Sequence, residues 1–382
     1  MGKRDVIVIG GGPSGATAAF VLAKAGMSVL LLDAAVFPRD KLCGGLLSRR
    51  AEKTYKAVFE KPWDPAIEFA SHGAVFFDGH SKIQSVEHVW PTYFTSRTKF
   101  DAHLLAQAAA AGVVVQEQRR ALHVYAPDSR VQAAGGPDIQ ADFIIGCEGV
   151  NSPTARGVGL PPLSRRRLAA GLEVHIPRDL FSRQPDKPEI YFRLAEWGYA
   201  WLFPKRDCVT VGMAGLVQKN RNLKGNFTRF LSGLNGGRLP EVRWKGHPIP
   251  FGNYRARPGK ANILLAGDAA GLVEPVTGEG IAFAMESGRY AAQAILAAAA
   301  AGRPDSALSR YLESYSRITA LFRQARIMRH LVFQRLTQPI FLRVLARSQT
   351  VATRYLDLLA AEIGYGEYAR FLAKVLIRRF LV

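Results

Sequence analysis

The sequence predicts a mixed α/β fold: a parallel sheet with helices on it, an antiparallel β-rich portion interleaved with that sheet, and a helical C-terminal region. Three observations carry this expectation. A strand, a glycine turn, a helix and a second strand follow one another from Asp5 to Asp33. Later, β-rich runs separated by Gly, Pro and charged turns fill 167–250, and beyond Arg303 apolar residues recur at helical spacing.

In the first stretch, Val6-Ile7-Val8-Ile9 is apolar and β-branched, as a parallel strand buried on both faces would be. Gly10, Gly12 and Gly15 then give G-x-G-x-x-G around Pro13 and Ser14, where strand turns into helix. Gly10 permits the tight turn, Gly12 lets a pyrophosphate approach the backbone, and Gly15 lets the helix pack closely on the strand. The helix over 14–25 points its free N–H groups and positive dipole end at that pyrophosphate. Asp33 closes the second strand, placed to accept the ribose hydroxyls of an adenosine. A lone glycine motif is also an ordinary turn, but here strand, helix and terminal acid stand at the distances a Rossmann-like dinucleotide cradle requires.

At 382 residues the chain has room for two or three domains and a large core. Its formal net charge of +20 suits an anionic partner, whether a membrane surface, a phosphorylated substrate or nucleic acid; a merely solvated basic surface is the plain alternative. Cys43, Cys147 and Cys208 are too few and too scattered for a disulfide framework or a C-x-x-C metal site. A reducing compartment and no metal are therefore expected. No apolar run approaches 20 residues, so no bilayer-spanning helix is expected.

After Asp33, Pro38, Gly44 and Gly45 mark a loop over 37–51 that lets something come close to backbone. Cys43 stands there beside Arg39 and Lys41, a setting that predicts a lowered thiol pKa and a role as proton donor or nucleophile; a small buried hydrophobe is the bland reading. Short β-rich runs over 67–93 read as inserted antiparallel strands. The chain then returns at Arg97 with a helix over 98–111, a strand over 113–116, and another over 138–145 that ends in GCEGVNSPTAR, where Ser152 suits a helix cap and Arg156 a phosphate contact. Between 167 and 250, LAAGLEVHIP, EIYFRL, YAWLFP and CVTVGMAGL are strand candidates, with a short helix over 226–234.

A further strand of the first type, 262–265, runs into GDAAGLVEPVTGEGI. Gly267, Gly271, Gly278 and Gly280, with Pro275, shape a loop whose backbone can touch a ligand. Asp268 at the strand end suits a ribityl chain, and a helix starting near Gly278 presents its positive end where a reduced isoalloxazine ring gathers negative charge. The tail from 303 to 382 has 14 Lys and Arg against 5 Asp and Glu, a net +9, so it reads either as basic helices on anionic lipid or as a helical cap with its arginines in water. The expected division is discontinuous: 1–66, 97–166 and 251–302 form the nucleotide domain, 67–96 and 167–250 a substrate-binding β domain, and 303–382 a helical region.

On these residues the chain resembles the geranylgeranyl reductase family of flavoproteins, within the p-hydroxybenzoate hydroxylase-like FAD superfamily, over most of its length. The superfamily signs are GGGPSG with Asp33, Arg97 in SRTKFD, GCEGVNS, and GDAAG followed by Pro275 and GEGI. The family signs are PRDKLCGG, from Pro38 to Gly45, and YAWLFP, from Tyr199 to Pro204, which fits Y-x-W-x-F-P. One departure is Glu148, where relatives usually carry Asp.

The resemblance implies bound FAD held by Gly10, Gly12, Pro13, Ser14, Gly15, Asp33, Lys41, Cys43, Gly44, Arg97, Gly267, Asp268, Gly278, Gly280 and Ile281. It also implies a prenyl substrate along Gly45, Tyr199, Trp201, Phe203, Pro204 and Pro275. Tyr199, Trp201 and Phe203 alternate along one strand and so share a face, which agrees with an aromatic wall; such a row is otherwise plain core.

The reaction so implied is reduction of carbon–carbon double bonds in an isoprenoid chain, with Cys43 as the acid candidate and Tyr199 as the second. NAD(P)H or a protein donor would reduce the flavin, and a nicotinamide would visit without a Rossmann domain of its own, since the sequence has no second G-x-G-x-x-G on a strand-to-helix turn. The expected place is cytoplasmic, peripheral on the inner membrane face. Competing readings are a flavin monooxygenase or halogenase on the same scaffold, and an electron-transfer flavoprotein reducing quinone, which lacks a cysteine cluster for iron–sulfur. Nucleic-acid binding ranks last, because no nucleic-acid module accompanies the charge.

Overall fold

The computed structural model describes residues 4–237 and 241–380. Its first sheet has a parallel core in the order Ile263–Leu265, Ile139–Gly146, Arg4–Ile9, Val29–Leu32, Val114–Gln116, with the short strand Gly259–Lys260 antiparallel on the edge. The expected β-branched strand is buried on both faces. Val6 and Val8 join Val29 and Leu31 in a core with the helices Pro13–Lys24, Arg97–Ala110 and Ile281–Ala300, while Ile7 and Ile9 join Leu30 and Leu32 on the other side. That second side is covered by an antiparallel hairpin, Ala121–Tyr125 and Arg130–Ala133, whose Val124 and Val131 are wholly buried. Each such side chain removed from water contributes about 1.5–3 kcal/mol, so an uncovered face would be unstable.

The second sheet has seven strands in the order Lys245–Ile249, Ala169–Pro177, Cys208–Leu216, Gly198–Pro204, Glu189–Phe192, Ala74–Asp78, Ser81–Val86. All its pairs are antiparallel except Glu189–Phe192 with Ala74–Asp78. Two distant pieces of chain thus complete one sheet. One face buries Leu202, Val211 and Met213 against Phe227 and Phe230 of the helix Leu223–Leu234. The opposite face carries Tyr199, Trp201 and Phe203, packed with Phe94, as strand alternation requires. A third sheet of three short strands, Leu46–Leu47, Thr92–Phe94 and Phe69–Ser71, ties the loop after Asp33 to the inserted strands. It crosses the expected boundary at residue 66, because a two-residue strand leaves no period to read.

Beyond Arg303 the chain forms the helices Ala307–Phe333, Gln338–Arg347, Gln349–Leu359 and Tyr365–Phe380. Their buried residues, among them Phe341, Leu345, Tyr355 and Tyr368, pack on Phe76 and Phe192 of the second sheet. No helix among the described residues is long and apolar enough to cross a membrane.

Candidate active site

The C-terminal ends of the parallel strands, the loop at Cys43 and the aromatic face of the second sheet enclose one continuous cavity of about 990 Å3. Its nucleotide end is built by the turn after the first strand. Gly10 sits at φ +102°, and a Cβ there would lie 2.5 Å from the Cys147 carbonyl oxygen. A Cβ on Gly15 would lie 1.8 Å from the Gly10 carbonyl, so helix and strand touch backbone to backbone. Gly12, Pro13 and Ser14 line the cavity at the helix N-terminus, which has no side-chain cap of its own. Asp33 accepts from the Gly11 amide at 2.6 Å and from Ala35 at 2.8 Å, which fixes its carboxylate at the cavity wall.

Beside this turn, Arg97 is 7% exposed and donates two 2.7 Å hydrogen bonds to Asp101. Burial works against its charge, yet Asp101 holds its pKa above the ordinary guanidinium value. Arg39 also reaches Asp101, at 3.0 Å, and its second terminal nitrogen is buried without a partner. The Arg39 guanidinium lies 3.4 Å, and that of Arg97 3.7 Å, from where a Cβ on Gly12 would stand. Two cations, an uncapped helix end and an open glycine backbone suit the pyrophosphate of a dinucleotide. On those observations the residues present fit FAD.

In the middle of the cavity, Asp268 accepts from Lys41 at 3.1 Å. Burial would raise its pKa, but Lys41 and Arg97 outweigh this and hold the carboxyl below its usual value. Gly278, Gly280 and Ile281 line the wall, with the helix Ile281–Ala300 starting there. Glu279, between the two glycines, accepts from the Ser48 hydroxyl and has Arg50 at 3.8 Å. Burial nevertheless pushes it up to about 7.

The Cys43-Gly44-Gly45 loop meets the aromatic face directly: a Cβ on Gly44 would lie 2.7 Å from the Phe203 ring and 3.1 Å from the Trp201 indole nitrogen. Trp201 in turn lies flat over Gly212, where a Cβ would be 2.2 Å from its ring. Tyr199, Trp201 and Phe203 stand with ring centroids 6.0 and 6.1 Å apart. The Cys43 sulfur accepts from the Gly45 amide at 3.4 Å. Contrary to the lowered pKa that the neighbouring cations suggest in the sequence, burial pushes the thiol up, with Arg97 and Lys205 opposing. The thiol is thus favoured over the thiolate.

The structure brings most sequence-predicted residues to this one cavity and leaves Gly15, Gly267, Pro204, Pro275 and Arg156 out of its lining. Gly15 and Gly267 serve packing, the latter against Ser14, whose hydroxyl would lie 2.8 Å from a Cβ there. Pro204 falls on the opposite face of its strand from Phe203, and Pro275 is buried against Gly252. Tyr199 lines the cavity, but its hydroxyl donates to the Thr277 carbonyl, so its proton is committed to the loop before Gly278. Arg156 is exposed and donates to the Asn151 carbonyl at 2.9 Å, away from the lining. Glu148 lines the cavity and accepts from the Thr154 amide at 2.9 Å and the Ser152 hydroxyl at 2.9 Å, and burial raises its pKa.

Sequence reasoning took Arg39 only as a basic neighbour of Cys43 and passed over Asp101, Glu173, Lys205 and Glu279. Signals existed for three of them: Asp101 stands four residues after Arg97 on one helix, Glu173 is the one acid in its strand, and Lys205 continues the alternation of Tyr199, Trp201 and Phe203.

A family model described as an FAD binding domain matches residues 3–191. Geranylgeranyl diphosphate reductase of Oryza sativa is 30% identical over 83% of this chain and 72% of its own length. Digeranylgeranylglycerophospholipid reductase of Thermoplasma volcanium is 31% identical over 77% of this chain and 78% of its own. Among solved structures, a geranylgeranyl bacteriochlorophyll reductase-like protein of Thermoplasma acidophilum superposes with a TM-score of 0.82 over 97% of this chain and 99% of its own, at 24% identity. A halogenase shares the fold alone, at 18% identity and a TM-score of 0.73 over 96% of this chain and 85% of its own. With the glycine cradle, the Cys43-Gly44-Gly45 loop and the Y-x-W-x-F-P strand meeting at one cavity, the chain belongs to the geranylgeranyl reductase family of FAD-binding flavoproteins.

Proposed function

We propose that this protein is an FAD-dependent oxidoreductase that reduces carbon–carbon double bonds of an isoprenoid chain. The observation that carries the reading is the contact between the Gly44 backbone and the Trp201 and Phe203 rings, inside the cavity that also holds the dinucleotide cradle. When bound and reduced, FAD supplies a hydride. The chain's own residues supply the rest. Gly10, Gly12, Pro13, Ser14 and Asp33, with Arg39 and Arg97, hold the adenosine diphosphate portion, while Lys41, Asp268, Gly278, Gly280 and Ile281 border the ring portion. This FAD-holding side comprises 1–66, 97–166 and 251–302.

An isolated alkene accepts hydride poorly, so an acid must protonate its second carbon as the hydride arrives. Cys43 is the group placed for this. Its raised pKa keeps the proton on sulfur, and the Gly45 amide, already donating to that sulfur at 3.4 Å, stabilises the thiolate left behind. Tyr199, Trp201 and Phe203 exclude water, and Phe76, Ile190 and Phe192 continue the apolar wall away from the loop. Tyr199 acts by holding Thr277, and through it the loop that borders FAD.

Both named relatives act on geranylgeranyl-bearing molecules, and an apolar chamber of this kind favours the same class here. The reductant we assign is NAD(P)H or a protein donor, and the basic tail supports contact with anionic lipid, tested by sedimentation with anionic against neutral vesicles. The deciding experiment is anaerobic reoxidation of dithionite-reduced protein by a panel of prenyl compounds. Expected is alkene-dependent reoxidation with products heavier by two hydrogens for each bond reduced. Absence of such products, or steady oxygen consumption coupled to a hydroxylated aromatic, overturns the reading.

A further inference from the structure

A thiol that gives up its proton in every cycle must recover one, and Cys43 is only partly exposed, in a loop packed against Trp201 and Phe203. The strand Ala169–Pro177 carries a polar pair on the face that meets the Cys43 loop. Glu173 is 0% exposed, and one of its carboxyl oxygens accepts from the Cys43 amide at 3.4 Å and from His175 Nε2 at 3.0 Å. Its other oxygen is buried with no hydrogen-bond partner. The His175 ring is 27% exposed at its side chain, and its Nδ1 meets the Thr210 hydroxyl at 3.2 Å. One imidazole and one carboxyl thus lie between solvent and the Cys43 backbone.

Holding the loop in place needs only one of the carboxyl oxygens. Burying the second without a partner costs about 1–3 kcal/mol, which a glutamine able to place its amide elsewhere, or a smaller polar residue, would avoid. We propose that Glu173 and His175 form the proton feed of Cys43, carrying protons from solvent to the thiolate after each reduction. This rests on the functional reading above.

In each cycle the π bond of the alkene is broken and two C–H bonds form. The hydride from bound reduced FAD brings two electrons to one carbon, and the Cys43 thiol gives a proton to the other. The thiolate then takes a proton from Glu173 in its acid form, Glu173 recovers it from protonated His175, and His175 from water at the surface. Arg97, Lys205 and Tyr199 also face Cys43, and Asp40 with its partner Lys245 faces His175, so the charges around the path are mixed rather than one-signed.

The test compares wild type, Glu173→Gln and His175→Asn as flavin-loaded enzymes, reduced with dithionite under anaerobic conditions and oxidised by geranylgeranyl diphosphate. Glu173→Gln keeps the size and the acceptor for the Cys43 amide but cannot pass a proton. Expected is a first oxidation that proceeds on the proton already stored at Cys43, followed by turnover slowed about a hundredfold, with His175→Asn intermediate. Turnover of Glu173→Gln within about twofold of wild type overturns the proposal, and so does loss of the first oxidation or of flavin together with turnover, which marks a structural residue.

A second measurement does not depend on activity: the pH profile of Cys43 alkylation by iodoacetamide, read by peptide mass spectrometry. Removing the neighbouring negative charge moves its midpoint down; an unmoved midpoint places Glu173 too far from the thiol and overturns the relay. If wild type itself is not reoxidised by geranylgeranyl diphosphate, phytyl or digeranylgeranyl lipids, the functional reading fails, whereas the alkylation midpoint still decides whether Glu173 and Cys43 are coupled.

Discussion

Replacing Glu279 by Gln isolates the electrostatics of the Gly278–Gly280 loop at the cavity wall. In the folded protein burial pushes this carboxyl from its ordinary 4.5 up to about 7, against the opposing pull of Arg50 and the Ser48 hydroxyl. The folded state therefore binds a proton that the unfolded state has lost between pH 4.5 and 7, and stability falls as pH rises through that window. At 1.36 kcal/mol per pKa unit the charged form costs roughly 3 kcal/mol once pH exceeds 7. Gln keeps an oxygen for Ser48 and carries no charge. In urea unfolding of flavin-free protein the variant should match wild type near pH 4 and exceed it by roughly 3 kcal/mol at pH 8, the gap opening between those values. A gap that is constant with pH, or that closes as pH rises, refutes the reasoning.

Cys43→Ser should leave the protein yellow while slowing alkene-dependent flavin oxidation about a hundredfold, since a serine hydroxyl is a far weaker acid; loss of flavin instead makes Cys43 structural. Asp33→Ala removes a carboxylate fixed at 2.6 Å from the Gly11 amide and should weaken FAD retention by at least about tenfold on gel filtration, a charged hydrogen bond being worth about 1.5–3 kcal/mol. Unchanged retention takes Asp33 out of the site. Tyr365→Phe leaves a Glu274 oxygen without its 2.6 Å donor at a residue 2% exposed, and should lower unfolding stability by about 1–3 kcal/mol. An unmoved denaturation midpoint would mean that the last helix does not brace the loop.

The parts of this molecule that the sequence made legible are those in which backbone chemistry and side-chain period agree. The first strand reads as buried on both faces because Val6 to Ile9 are all β-branched, and the glycine turn reads because Gly10 and Gly15 stand where any Cβ collides. Tyr199, Trp201 and Phe203 read as one face because a strand has period two. The hairpin Ala121–Ala133 escaped notice because ALHVY and RVQA are short and half exposed, although they cover the second face of the parallel sheet. Long-range pairings were also silent: no local pattern says that Glu173 meets the loop at Cys43, 130 residues earlier, or that Lys41 meets Asp268, 227 residues later. The Cys43 pKa went the other way for the same reason, since Arg39 and Lys41 are visible in sequence while burial is a property of the assembled cavity.

The C-terminal region shows how composition alone misleads about surface charge. Its net +9 suggests a cationic patch free to meet lipid, yet part of that charge is held inside the fold. Arg329 is 6% exposed between the Phe251 and Trp197 rings, at 4.9 and 5.2 Å, and burial pulls its pKa down to about 10, leaving it charged at neutral pH. Arg326 donates to the Gly252 carbonyl at 3.1 Å, while Arg354 pairs with Glu367 at 3.2 Å and Arg335 pairs with Glu196. At about 1 kcal/mol for each Lys or Arg near an anionic surface, holding Arg329 and Arg326 inside takes roughly 2 kcal/mol from the attraction that the composition promises, while Arg354 and Arg335 stay at the surface in ion pairs. Meanwhile Tyr355, Leu356, Leu359 and Ala360 of the same region line the cavity, and Tyr365 donates to Glu274 in the loop before Gly278. The tail is therefore first a wall of that cavity, and a lipid surface would meet only the cations left over from building that wall.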